Sequence, residues 1–230
     1  YMFFGTVERP PRLSEFEFEI PEKLIAQNAP KKRDKCKLMV VDRKTGDIEH
    51  KVFSDIHKYF DKGDVLVLNN TKVFPARLYA TKDKSIAKVE VFLLRELEND
   101  LWEAMVKPAR KVRIGNKLIF EKNISCDVID NTVSGGRVLR FEYNVDSLYP
   151  FIDKKGHSPL PPYIKRKSVP SDKNNYQTIY ASERGSVAAP TAGLHFTNGL
   201  LKKIEKKGVK IVYITLHIGL GTFRPILVED

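Results

Sequence analysis

The sequence predicts an α/β (mixed α+β) domain interrupted by an inserted small antiparallel β-barrel. Apolar strand-like runs bracket the chain near residues 37–68 and 209–216. Between them, six short strand-like runs follow one another about a dozen residues apart, with turn residues and no helical period in the gaps. One amphipathic helix stands just before the last run, as in a strand–loop–helix–strand unit. Residues 1–70 are therefore assigned to the first part of the α/β domain, 71–148 to the barrel, and 149–230 to the second part.

Each element has a local reason. Lys37 to Asp42 (KLMVVD) reads as a strand, Lys44-Thr45-Gly46-Asp47 as its turn, and Ile48 to Phe53 as the return. Ser54 suits the N-cap of a short helix ending near Phe60, closed by Asp61-Lys62-Gly63-Asp64. The unbroken apolar run Val65 to Leu68 predicts a strand buried on both faces. The barrel strands are Val73 to Ala80, Lys88 to Arg95, Leu101 to Lys107, Lys117 to Phe120, Ile124 to Ile129 and Arg137 to Tyr143. Asp146 to Lys155 is helical and ends at Gly156. Thr197 caps a helix through Lys207, with Leu200, Leu201 and Ile204 on one face and Gly208 past its end.

Composition excludes several classes. Hydrophobic residues make up 42% and charged residues 30% of the 230, enough apolar material for a core. Mean hydropathy is −0.34, and no apolar run nears the ~20 residues of a membrane span. No secretion signal is read at the N-terminus, where Tyr1 precedes Met2. The two cysteines, Cys36 and Cys126, lack CxxC or Cys/His spacing, which argues against a disulfide scaffold, a zinc site or any metal. The expectation is a cytoplasmic protein that binds no membrane. Lys and Arg number 40 against 29 Asp and Glu, a net charge of +11. Residues 151–230 hold 13 basic and 6 acidic side chains, so most of the excess lies there. Such a bias suits a polyanion, nucleic acid first.

Two segments carry chemistry. Gly185 to Thr197 (GSVAAPTAGLHFT) is built of small residues and leads into a helix N-terminus, where free N–H groups favour a carboxylate or phosphate. Thr215 to Pro225 (TLHIGLGTFRP) leaves an apolar strand, a usual place for binding loops. Each holds one histidine, His195 and His217. A third segment, Leu160 to Lys167 (LPPYIKRK), presents Tyr163 beside Lys165, Arg166 and Lys167, equipment for phosphates with a stacked base. Arg77 stands at the seam between the two domains. No Walker A loop, complete GxGxxG, HExxH or GxSxG is present.

The runs VLVLNNTKVFPARL (65–78), KVEVFLLRE (88–96), LPPYIKR (160–166), YQTIYA (176–181), VAAPTAGLHFT (187–197) and TLHIGLGTFRP (215–225) occur in the order of one family. They resemble the S-adenosylmethionine:tRNA ribosyltransferase-isomerase family of queuosine biosynthesis, from about Leu13 to Asp230. The resemblance implies an α/β catalytic domain carrying an inserted barrel. It implies transfer and isomerisation of the ribosyl moiety of S-adenosylmethionine onto 7-aminomethyl-7-deazaguanine at the wobble position of a tRNA with a GUN anticodon. Epoxyqueuosine forms, and adenine and methionine leave. S-adenosylmethionine is then a consumed substrate, no cofactor or metal is needed, and the protein acts as a monomer.

By the same resemblance and the proton transfers the reaction needs, His195 and His217 are the catalytic pair, one the acid and the other the base, in either order. Arg77, Tyr176, Gln177, Thr191, Gly193, Thr197, Gly219, Gly221, Thr222 and Arg224 are substrate-binding residues. The donor carboxylate is expected at the helix end opened by Thr197. Tyr163, Lys165, Arg166 and Lys167 are tRNA-binding residues. Family members continue beyond the FRP motif, and the 81–87 loop lacks their glycines. Two other readings stay open: a non-catalytic RNA-binding module, and an S-adenosylmethionine nucleosidase or transferase that acts without RNA.

Overall fold

The computed structural model describes residues 11–223. Its strands, in chain order, are β1 (Lys37–Val41), β2 (Ile48–Val52), β3 (Val65–Asn69), β4 (Thr71–Val73), β5 (Arg77–Lys82), β6 (Lys88–Glu98), β7 (Leu101–Lys107), β8 (Lys117–Glu121), β9 (Ile124–Asn131), β10 (Arg137–Tyr143), β11 (Glu183–Ser186) and β12 (Lys210–Ile214). The α-helices are α1 (Tyr149–Lys155), α2 (Asp172–Asn175) and α3 (Asn198–Lys206).

Six strands close into a barrel in the order β10-β7-β6-β5-β8-β9, all neighbours antiparallel. Closure removes the free edges that short strands would otherwise expose. Alternation dictates which side chains fill it: Trp102, Ala104 and Val106 of β7 point inward while Glu103 and Met105 do not. Leu78, Val91, Leu93, Leu118, Val128 and Leu139 are buried in its interior. α1 packs Phe151 and Ile152 onto the same core, with Phe151 edge-on to Phe120 at 5.9 Å.

The expected first barrel strand, Val73 to Ala80, is two strands. β4 leaves the barrel and pairs in parallel with β11, whereas β5 begins at Arg77. Pro75, which has no N–H to donate, separates them. The barrel sheet thus runs from Arg77 to Tyr143.

The rest of the chain forms three two-stranded sheets: the β1–β2 hairpin and the parallel pairs β4–β11 and β3–β12. The helix capped by Thr197 forms as the sequence predicts. Thr197 Oγ1 accepts the Leu200 N–H at 3.2 Å, Leu200, Leu201 and Ile204 are buried, and Gly208 takes φ +86°. These three side chains meet Phe53, Leu68, Phe196 and Val209 in a second core.

Two expectations are corrected. Phe53–Tyr59 is a 3₁₀-helix without a side-chain cap, not a helix capped by Ser54. Phe53, at its first position, is buried in the second core and fixes the segment there, without a capping side chain at its start. Nor is β3 buried on both faces. Only Leu68 is buried, while Val65 and Val67 are 55% and 52% exposed. β3 has β12 as its one neighbour, and the second core covers one face of that pair.

α1 ends against the crossing into the barrel. A Cβ on Gly156 would lie 2.0 Å from the Pro75 carbonyl oxygen and 2.5 Å from that of Ile152. Both obstacles are backbone, so Gly156→Ala is expected to destabilise the fold by about 1–3 kcal/mol, read as a lower urea midpoint with unchanged slope. An unchanged midpoint would show that the crossing yields freely.

Candidate active site

The most highly organised polar cluster surrounds His217. β4 and β11 pair with a register shift between Arg184 and Ser186, a bulge at Gly185. The extra residue turns Ser186 to the side of Thr71. Both hydroxyls are fully buried and lie 2.6 Å apart. Ser186 Oγ accepts the Ile218 N–H at 2.7 Å, and Thr71 Oγ1 lies 2.8 Å from His217 Nδ1.

One direction of donation satisfies every atom. Ser186 O–H donates to Thr71, and Thr71 O–H donates to His217 Nδ1. The reverse would leave the Ser186 hydroxyl hydrogen without a partner among the described residues. The neutral ring therefore accepts at Nδ1 and carries its hydrogen on Nε2, aimed away from the relay. His217 is exposed, so that N–H is open to a ligand.

The imidazole lies over the Gly185 backbone. A Cβ there would stand 2.5 Å from His217 Cε1 and 2.6 Å from Nε2. Only glycine permits this approach. Thr71, Gly185 and Ser186 were not among the residues expected at the site. Gly185 and Ser186 open the small-residue segment, but nothing local in Asn70-Thr71-Lys72 signals the relay.

His195 belongs to a different cluster. It ends the 3₁₀ turn Thr191–His195, with Nδ1 3.3 Å from the Arg33 carbonyl oxygen and its ring 5.1 Å from that of Phe53. The Arg33 guanidinium donates to the carbonyls of Asn174, Gln177 and Leu194 at 2.8–3.2 Å, tying these loops together. Among the described residues no hydrogen bond or ring contact joins His195 to His217. Thr191 is exposed. Gly193 is buried, and the space a side chain would take is filled by the Tyr180 hydroxyl, 2.3 Å from a Cβ. Its close approach is thus to Tyr180, whose phenol burial pushes up to about 12.

Two cavities lie at the seam between barrel and α/β part. One, of about 320 Å³, takes Lys72, Asp153, Lys173, Tyr176, Gln177 and Arg184 among its walls. Burial raises the Tyr176 phenol above its ordinary range. Gln177 is committed: its amide accepts from Val73 N–H and donates to Val73 C=O, both at 3.0 Å, as a third strand would. Arg184 lies over the rings of Phe74 and Tyr149 at 5.1 and 4.9 Å, with Asp153 at 2.7 Å. The other cavity, about 390 Å³, is walled by Phe92, Met105, Pro159, Leu160 and Pro162 with Arg77 and Glu90 at 3.3 Å. Arg77 is therefore in a separate recess from Tyr176.

The cationic loop is largely engaged. Lys165 pairs with Glu22. Arg166 forms a fork with the buried Asp172, both contacts 2.8 Å. Lys167 is exposed with no ion pair among the described residues, and Tyr163 is half exposed. Gly219, Gly221 and Thr222 sit in an open turn with free space around both glycines. Arg224 lies outside the described residues.

The sequence pattern of the family described as "Queuosine biosynthesis protein" matches residues 13–230. An S-adenosylmethionine:tRNA ribosyltransferase-isomerase of Cytophaga hutchinsonii is 54% identical over 95% of this chain and 64% of its own length. One of Flavobacterium psychrophilum is 55% identical, with the same coverage. The chain thus spans about 64% of the length of these relatives. A solved S-adenosylmethionine tRNA ribosyltransferase of Thermotoga maritima is 35% identical, covers 89% of this chain and 58% of that one, and gives a TM-score of 0.36. Both histidine segments, the bulge at Gly185 and Thr71 all fall inside the matched residues, and the chain belongs to the queuosine biosynthesis protein family.

Proposed function

We propose that the protein transfers and isomerises the ribosyl moiety of S-adenosylmethionine onto 7-aminomethyl-7-deazaguanine at the wobble position of a GUN-anticodon tRNA. The observation that carries this reading is the family match over residues 13–230 together with relatives of that activity at 53–55% identity. S-adenosylmethionine is consumed: its ribosyl carbons go to the aminomethyl nitrogen, and adenine and methionine leave. The protein acts in the cytoplasm as a monomer, and no cofactor takes part.

The chemistry needs proton transfers. The sulfonium acidifies the adjacent 5′ carbon, so a base must take that proton. Adenine leaves more readily when an acid supplies one, and the attacking amine must be neutral. His217 presents Nε2–H outward from the Thr71–Ser186 relay as a hydrogen-bond donor to the departing adenine, and it gives up that proton as an acid from the imidazolium, in which Nδ1–H donates back to Thr71 Oγ1. His195 is the candidate base. The relay supports this division because it fixes which His217 nitrogen bears the hydrogen. In the cavity that also holds Asp153 and its partner Arg184, Lys72 is in no ion pair among the described residues and offers a cation to the donor carboxylate, an alternative to the α3 end, where Thr197 already takes one N–H.

Incubating the full chain with S-adenosylmethionine and tRNA bearing the aminomethyl precursor should release adenine and raise the tRNA mass by the ribosyl-derived unit. Adenine release without RNA would replace this reading with a nucleosidase. RNA binding with no release under any condition would leave a binding module.

A further inference from the structure

We infer that the barrel end farthest from the α/β part is a phosphate-backbone contact surface for RNA, centred on Arg110, Lys111 and Arg113. This rests on the tRNA reading above for the identity of the RNA, but the surface itself is read from the barrel. The chain enters the barrel at residues 74–76 and leaves it at 144–148, both at one end. The connections 83–87, 108–116 and 132–136 therefore stand at the other, roughly 15 Å away along β5.

That far end holds a recess of about 430 Å³ lined by Lys82, Arg110, Lys111, Arg113, Ser85 and Asn116, with no carboxylate in its wall. Among the described residues none of the four cations is in an ion pair. Asp83, next to Lys82, turns its carboxylate to the Lys117 N–H at 3.1 Å. By contrast Lys165 and Arg166, the cations the sequence singles out, are already paired. The barrel's modest net charge hides the recess because Glu96, Glu98 and Asp100 lie toward its opposite end.

The platform is held rigidly. Arg137 spends its guanidinium inside the barrel end, donating to the carbonyls of Ala109, Val112, Gly135 and Gly136 at 2.9–3.3 Å. Val112 between the cations is fully buried, and Asn116 accepts the Arg113 N–H at 2.9 Å. Two guanidinium forks on a fixed loop suit phosphate oxygens, which they meet two bonds at a time. The loop tips Ile86 and Ile114 are exposed on either side. The cations line a concavity, which a projecting sugar-phosphate strand can enter and a flat lipid surface cannot. An RNA long enough to reach both this recess and the His217 site would be held at two places.

The test is binding of a tRNA transcript across a salt series, for the full chain and for the triple variant Arg110→Gln, Lys111→Gln, Arg113→Gln. These side chains are exposed, and an unchanged melting temperature verifies folding. The slope of log K against log salt should flatten by about 2–3 units. A control triple on α3, Lys202→Gln, Lys203→Gln, Lys206→Gln, should flatten it less. An unchanged slope, or equal flattening by the control, overturns the inference. Binding to phosphatidylserine vesicles that depends on the rim, with tRNA binding unaffected, overturns it in favour of a membrane. Adenine release measured in parallel separates the two readings. Release with an unchanged slope removes only the rim, and a flattened slope without release removes only the reaction.

Discussion

Replacing His217 with Ala is expected to cut turnover at least ~10²-fold and to leave the melting temperature close to that of the parent. The ring is exposed and rests on the Gly185 backbone, so its loss opens no cavity. What disappears is the outward Nε2–H and the Nδ1 acceptor of the Thr71 hydroxyl, which water replaces at this exposed position. Thr71→Val tests the relay rather than the ring. It removes the donor to Nδ1 and leaves the buried Ser186 hydroxyl without an acceptor, costing about 1–3 kcal/mol of stability. Thr71 is a positioning residue, and its specific readout is the tautomer: nitrogen chemical shifts should show Nε2–H in the parent and a mixture in Thr71→Val. Full turnover in His217→Ala would remove the residue from the chemistry. A parent ring with its hydrogen on Nδ1 would reverse the relay and with it the acid assignment.

Much of this was legible in the sequence, for identifiable reasons. Alternating burial wrote the barrel strands directly, and Thr197 with Gly208 marked both ends of α3. What sequence could not show is where a strand's partner lies. Val73 to Ala80 looks continuous because nothing local records that β4 pairs with residues over a hundred positions away. The Val65 to Leu68 run reads as doubly buried because apolar character fixes preference, not what is present to cover a face. The same limit governs the site. His217 and Gly185 are visible as unusual residues in small-residue loops. Thr71 becomes functional only through the β4–β11 pairing. The 160–167 loop fails differently: its cations are conspicuous, but the carboxylates that pair with them lie elsewhere, Glu22 near the start and Asp172 beyond a proline.

Asp172→Ala is accordingly expected to destabilise the protein by about 3–5 kcal/mol, nearer the lower figure because the Arg166 side chain is 23% exposed. The wild-type carboxylate is completely buried and meets both Arg166 terminal nitrogens and the Val169 N–H, each at 2.8 Å. Removing it strands a guanidinium that also donates to the Gln27 carbonyl and so tethers residues 20–27 to this loop. The Arg166 hydrogen bonds, opposed by burial and aided by the Val169 amide, hold the Asp172 carboxyl below its ordinary range. A depressed native value means that the stabilisation is complete above the unfolded value near ~3.9 and disappears as pH falls through the native one. The gap in urea midpoint between wild type and Asp172→Asn should therefore be constant from neutral pH down to about 5 and close only in stronger acid. Arg166→Gln should lose stability in the same window without flattening the salt dependence of tRNA binding, unlike the barrel-rim triple. A salt slope that flattens by a full contact in Arg166→Gln, with the urea midpoint unmoved, would return that arginine to the phosphates and cancel its assignment as the partner that holds Asp172.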